Sequence, residues 1–150
     1  MYAWLESLRL HIHSAQSFSQ VHWPATDYIR PYAWLYWVQR GAPCVSFGTD
    51  RHSLTRGALF LAPANLRADY ACEGVVCVDS VAFSAPLSGG IDFSELPFSE
   101  YALRVTAKRE TDSAMKALMA AASDASPSAI LIADSILRRL LARFLDYLDM

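Results

Sequence analysis

At 150 residues the chain has the length of one ordinary domain, enough to bury a hydrophobic core without disulfides or a structural metal. Apolar residues make up 53% and charged residues only 19% of it, against a usual quarter charged, so much of the chain must be buried or meet a partner. A net charge of -2 supplies no basic stripe to displace counterions from phosphates, which argues against DNA binding by this chain itself. Cys44, Cys72 and Cys77 form an odd set without CxxC spacing, which fits inert thiols in a reducing, cytoplasmic setting. Glu6 and Arg9 interrupt the apolar N-terminus, which therefore reads as neither a signal peptide nor a membrane span.

From about Ser17 to Val105, short segments rich in Val, Phe, Tyr, Trp and Leu alternate with Gly, Pro, Asn and Asp, the pattern of an all-β sandwich or barrel. Strands are predicted at Tyr32–Val38, Pro43–Phe47, Ala58–Ala62 and Val75–Phe83, with turns at Arg40–Gly41, Gly48–Asp50, Pro63–Asn65 and Glu73–Gly74. A loop carrying Pro86, Gly89, Gly90 and Pro97 precedes a last strand near Tyr101–Val105. After Thr106 the apolar period changes from two to about 3.6, and a helix is predicted to begin at Thr111 or Asp112 and to stop near Ser123–Ser126. Ser126 followed by Pro127 offers an N-cap and a first-turn proline for a second helix, whose apolar positions Ile130, Ala133, Leu137, Leu140, Leu141, Phe144 and Leu148 share one side. Ile132, Ile136 and Leu145 widen that stripe beyond one contact, which implies a partner subunit as well as the barrel; the alternative is a helix packed wholly on its own barrel. The helical pattern runs on to Met150, as expected if the chain is a domain excised from a longer protein.

The stretch from Tyr28 to Ala68 resembles the two-part signature of the cupins. The first cupin motif has two histidines one residue apart, a glutamate after a short gap and, after six further residues, a turn glycine. Gly41 supplies that glycine and places Trp34 at the glutamate position, with Tyr28 and Arg30 at the histidine positions. In the second motif Gly57 and Pro63 fit, Asn65 replaces the second glycine and Ala68 stands where the last histidine would be. Two aromatics, a permanently protonated guanidinium and a methyl group offer a divalent ion nothing, so no metal and no cofactor is expected. A cupin-like part followed by a helical pair resembles the N-terminal half of AraC-type transcription regulators. The resemblance implies a mainly β, double-stranded β-helix (jelly-roll) barrel with an N-terminal arm over residues 1–106. It further implies a helical dimerisation segment over 107–150, and a DNA-binding domain absent from this chain.

Strand alternation with that motif frame turns Trp34 and Tyr36 into the barrel, giving an aromatic wall with Tyr28 and Phe47, Arg30 beside it and Trp23 at the rim or lid. Such a site suits a small effector with a flat body and an acceptor or anionic group, such as a sugar derivative or an aromatic acid; the alternative is that these rings merely fill the core. The last helix, through Leu137, Leu140, Leu141, Phe144 and Leu148, is expected to pair two subunits into a homodimer. The chain then works by recognition and is no enzyme. The rival from another class is a free-standing, metal-independent cupin epimerase or isomerase, for which His52, Asp69 and Glu73 are the only local bases; a structural dimerisation domain with a filled barrel is a third. His11 and His13 share one strand face without a third ligand and read as surface or packing residues.

Overall fold

A computed structural model describes residues 3–20 and 25–149. After a short helix α1 (Ala3–Glu6) come nine strands: β1 (His11–Gln20), β2 (Ala25–Tyr28), β3 (Ala33–Arg40), β4 (Cys44–Phe47), β5 (Asp50–Ser53), β6 (Ala58–Ala62), β7 (Ala68–Ala71), β8 (Val76–Ser84) and β9 (Ala102–Arg104). They form two antiparallel sheets, one in the order β1-β8-β3-β6-β9 and the other β2-β7-β4-β5. Helices α2 (Lys108–Ala122) and α3 (Pro127–Ala142) follow. A mainly β fold of two facing antiparallel sheets with a C-terminal helical pair is therefore the observed architecture.

Two cores share the larger sheet. Between the sheets lie Tyr36, Val38, Val45, Phe60, Tyr70 and Val78. On the outer face of the five-stranded sheet, Leu35, Trp37, Leu59, Leu61, Val81 and Phe83 pack with Met115, Leu118, Leu137, Leu140 and Phe144 of the helical part. Strands β3, β6 and β8 are thus buried on both faces and read as almost unbroken apolar runs. By contrast β7 alternates buried and exposed, and β5 (Asp-Arg-His-Ser) carries no apolar residue at all, which is why neither is predicted from hydrophobicity.

The motif turns are kept by backbone conformation. Gly41 sits at φ +95°, where an added Cβ would lie 2.5 Å from the Val75 carbonyl oxygen. Asn65, in place of the second motif glycine, adopts φ 59° and donates its N–H to the Arg30 carbonyl at 2.8 Å. Asparagine is among the few side chains that enter the left-handed region readily, so the motif survives the replacement.

The helices begin and end differently from expectation. Helix α2 starts at Lys108, because its first turn is polar and exposed and leaves no apolar period to read. Ser126 does cap α3, its Oγ accepting from the Ala129 N–H, with Pro127 in the first turn. After Ala142 the chain tightens into a 3-10 helix over Arg143–Tyr147, and Leu148 makes a β-bridge with Phe98, so the helical pattern does not continue to the end. The dimerisation seam expected on this helix needs correction. Leu137, Leu140, Leu141 and Phe144 are 0–2% exposed within the chain's own core, and Leu148 packs against the same cluster. The 3.6-residue stripe has been consumed by the barrel, and what remains outside is Ile130, Leu131 and Ile132, at 60, 73 and 52% exposure.

One polar network crosses the sheet–helix boundary. The buried Asp79 carboxylate accepts from Ser17 Oγ (2.6 Å) and Gln39 Nε2 (2.9 Å). The same Gln39 amide donates to Asp112 of α2, which also accepts from Trp37 Nε1 (3.3 Å) and Lys116 Nζ (2.7 Å). Those donors, Lys116 first and Gln39 next, hold the Asp112 carboxyl below the usual carboxylate range. A depressed folded-state value stabilises above the unfolded one and is lost as pH falls through the folded one. The melting-temperature lead of the parent over Asp112→Asn is therefore expected to shrink on acidification from neutral pH. Gln39→Leu, which strips a partner from the buried Asp79, is expected to lose about 1–3 kcal/mol in chemical denaturation.

Candidate ligand cavity

A cavity of about 210 Å³ opens where β1 of one sheet faces β2 of the other, lined by Gln16, Phe18, Gln20, Tyr28, Trp34, Tyr36, Tyr70 and Ser80. Its existence follows from side-chain size along one row of the sheet. Trp34 is flanked by Ala62 and Ala82, and Tyr36 by Ser80, so large rings on β3 stand beside methyl- and hydroxymethyl-sized neighbours and leave space above them. Gln16 and Gln20 lie exposed at the rim, while Tyr36, Tyr70 and Ser80 are buried at the floor.

The rings of Trp34 and Tyr36 are parallel to within 5°, with centroids 5.7 Å apart, and Tyr70 stands edge-on to both Tyr36 (6.0 Å) and Tyr28 (5.8 Å). Burial raises the Tyr36 phenol well above its ordinary range and lifts Tyr70 to about 12; the two hydroxyls share a hydrogen bond. Ser80 Oγ donates to the Gln16 carbonyl at 3.1 Å. The Trp34 indole Nε1, by contrast, is buried with no hydrogen-bond partner among the described residues. Such an orphaned donor costs roughly 1–3 kcal/mol.

The predicted site residues separate. Tyr28, Trp34 and Tyr36 meet at the cavity. Arg30 does not line it: the side chain is exposed, its guanidinium lies 4.2 Å over the Tyr28 ring and it donates to the Ile29 carbonyl, because the backbone leaves the strand at Tyr28 before reaching it. Phe47 lies apart, against His52 (4.9 Å) and Tyr101 (5.8 Å), beside a separate cavity lined by Ser46, Phe47, Gly48, Arg67, Ala68 and Asp69. Trp23 falls outside the described residues. The four motif positions are neighbours, Tyr28 pairing with Ala68, lying under the Arg30 guanidinium and sharing the cavity with Trp34, and among the described residues no three His, Cys, Asp or Glu side chains come together to hold a metal. Of the candidate bases, His52 faces Phe60 inside the barrel with its Nε2 buried and unpartnered, whereas Asp69 and Glu73 are exposed. His11 and His13 stack edge-on at 4.7 Å, and His13 bonds Ser84; burial and then His11 lower the His13 imidazole.

Sequence reasoning missed Gln16, Phe18 and Gln20, although their period of two marks one strand face, together with Tyr70 and Ser80. Tyr70 lies in a four-residue strand too short to show alternation, and Ser80 hides inside an apolar run.

No family model matches the chain, and no curated protein matches it by sequence. Among solved structures, ToxT from Vibrio cholerae strain SCE256, with an unsaturated fatty acid bound, is similar at 9% identity and a TM-score of 0.52; the match covers 95% of this chain and 54% of ToxT. ToxT from Vibrio cholerae O395 bound to (E)-4-(8-methylnaphthalen-1-yl)but-3-enoic acid matches at 7% identity and a TM-score of 0.49, over 92% of this chain and 58% of that one. A cupin superfamily protein from Desulfitobacterium hafniense DCB-2 matches at 15% identity and a TM-score of 0.42, over 50% of this chain and 75% of that one. These likenesses are of fold, and the chain spans about half the length of ToxT.

Raised phenols give the cavity an optical signature. Of the chain's seven tyrosines, Tyr36 and Tyr70 are expected to stay protonated at pH 11. A Tyr36→Phe, Tyr70→Phe protein should match the parent's phenolate absorbance there, the two differing only after unfolding in guanidinium.

Proposed function

We propose that this chain is the sensing and self-associating part of a cytoplasmic transcription regulator of AraC type, binding a small effector in the barrel cavity and pairing two copies through α3. The observation that carries this reading is the cavity of about 210 Å³ lined by the rings of Tyr28, Trp34, Tyr36 and Tyr70 together with the Gln16 and Gln20 amides and the Ser80 hydroxyl. An apolar recess with a few convergent polar groups is the usual form of a ligand site. ToxT, of the same fold, has been solved with acids bound, which gives effector binding a precedent at the level of architecture. Recognition is favoured over turnover, because none of His52, Asp69 and Glu73 lines the cavity and its phenols titrate far above neutrality. In this reading DNA contact belongs to another domain of the regulator, since the chain's net charge of -2 offers phosphates no attraction.

Pairing is assigned to the outer face of α3. Ile130, Leu131 and Ile132 are three consecutive exposed aliphatic residues, an expensive arrangement for a helix that meets only water. Removing such side chains from water is worth roughly 1.5–3 kcal/mol each when complete.

Two measurements test the proposal. In a thermal-shift screen of small molecules, compounds that stabilise the parent should lose their effect on Ser80→Phe, which fills the cavity floor; unchanged shifts would place binding elsewhere. In sedimentation velocity at micromolar concentration, Leu131→Asp with Ile132→Asp should convert a dimer into a folded monomer. Leu140→Asp should instead unfold the chain, since a buried leucine truncated even to alanine costs about 2–5 kcal/mol. A double variant that stays dimeric refutes the assignment.

A further inference from the structure

Resting on that sensing reading, we infer that the effector is an uncharged compound that lies against the Trp34, Tyr36 and Tyr70 rings and hydrogen-bonds to the Gln16 and Gln20 amides at the rim, and that the cavity rejects carboxylates. Among the described residues the lining carries no charge: two amides, three phenols, an indole, a hydroxyl and a phenyl ring. Arg30, the cation nearest in sequence, lies over the Tyr28 ring with one donor on the Ile29 carbonyl and does not line the cavity. A carboxylate entering this cavity would leave water without gaining a cationic partner among those lining residues, the costliest way to bury a charge.

The cavity's own groups report the same field. Tyr36 and Tyr70 resist becoming anions there, chiefly because burial removes the water that would solvate the charge. A ligand anion meets the same penalty. What the walls do offer is neutral and mixed. The Ser80 oxygen keeps free lone pairs because its proton is committed to the Gln16 carbonyl, and the Gln16 and Gln20 amides at the rim both donate and accept.

The experiment pairs neutral and anionic probes of one shape: benzamide against benzoate, and methyl β-glucoside against its glucuronate, with oleate as a long-chain acid. Binding is followed by the indole N–H resonances of the labelled protein, the Trp34 signal being identified by its absence in Trp34→Phe. At least one neutral member should shift the Trp34 resonance at millimolar concentration and bind at least tenfold more tightly than its anion. Ser80→Phe, which fills the cavity floor, should weaken the neutral probe at least tenfold. Gln20→Lys, which adds a cation at the exposed rim, should raise benzoate affinity at least tenfold and so tests the charge argument without touching the core. If an acid binds the parent as tightly as its neutral partner while moving the Trp34 signal, this inference falls and the sensing reading stands. If no probe of either kind moves that signal, the sensing reading falls and takes the inference with it.

Discussion

The structure depends on one strand being buried on both faces. Strand β3 sends Trp34, Tyr36 and Val38 into the barrel and Leu35 and Trp37 toward the helices, so a single backbone segment serves two cores. Neither core forms without it. The barrel would lose its aromatic wall, and the helical pair would lose the surface on which Leu137, Leu140 and Phe144 are buried. Strand β8 repeats the arrangement with polar groups: Ser80 borders the cavity, and its neighbour Asp79 faces the other way, into the Ser17–Gln39–Asp112 network that meets α2. Cavity and helices are therefore separated by the thickness of one sheet. Packed cores shift between discrete arrangements more readily than they deform, so a ligand that repositions β8 on its inner side has a direct mechanical route to α2 on the outer.

The buried polar groups divide into two kinds. Asp79 sits in the outer core with hydrogen bonds from Ser17 and Gln39, a burial that is tolerable because it is satisfied. Trp34 Nε1 and His52 Nε2 are buried with no hydrogen-bond partner among the described residues. Each costs the fold the desolvation of one polar atom, which the packing around it has to offset.

Much of this was legible in the residues, for reasons that differ by element. The strands that carry the fold, β3, β6 and β8, announce themselves because burial on both faces demands continuous apolar runs. The edge strand β5 and the short β7 do not, because their partners supply the hydrophobicity. The glycine and proline spacing located the barrel's turns well enough to show that Trp34 faces inward, yet it misplaced Arg30, since a motif position fixes a residue along the chain and not the direction of its side chain once the strand has ended. Helix α3 misled in a different way. Its best-aligned stripe was assigned to a partner, but the chain's own core buries most of it; of the positions the periodicity counts, Ile130 and Ile132 stay exposed, together with Leu131, which it leaves out.

The barrel interior bears on the cupin resemblance. Among the four positions where cupins place metal donors, this chain has Tyr28, Arg30, Trp34 and Ala68, while Gly41 and a left-handed Asn65 keep the turns that bring those positions together. Aliphatic side chains would be the cheapest route to a dense core at the centre of this barrel. Instead Ala62, Ala82 and Ser80 stand small beside Trp34 and Tyr36, and the cavity over those rings is lined by oxygen and nitrogen as well as carbon.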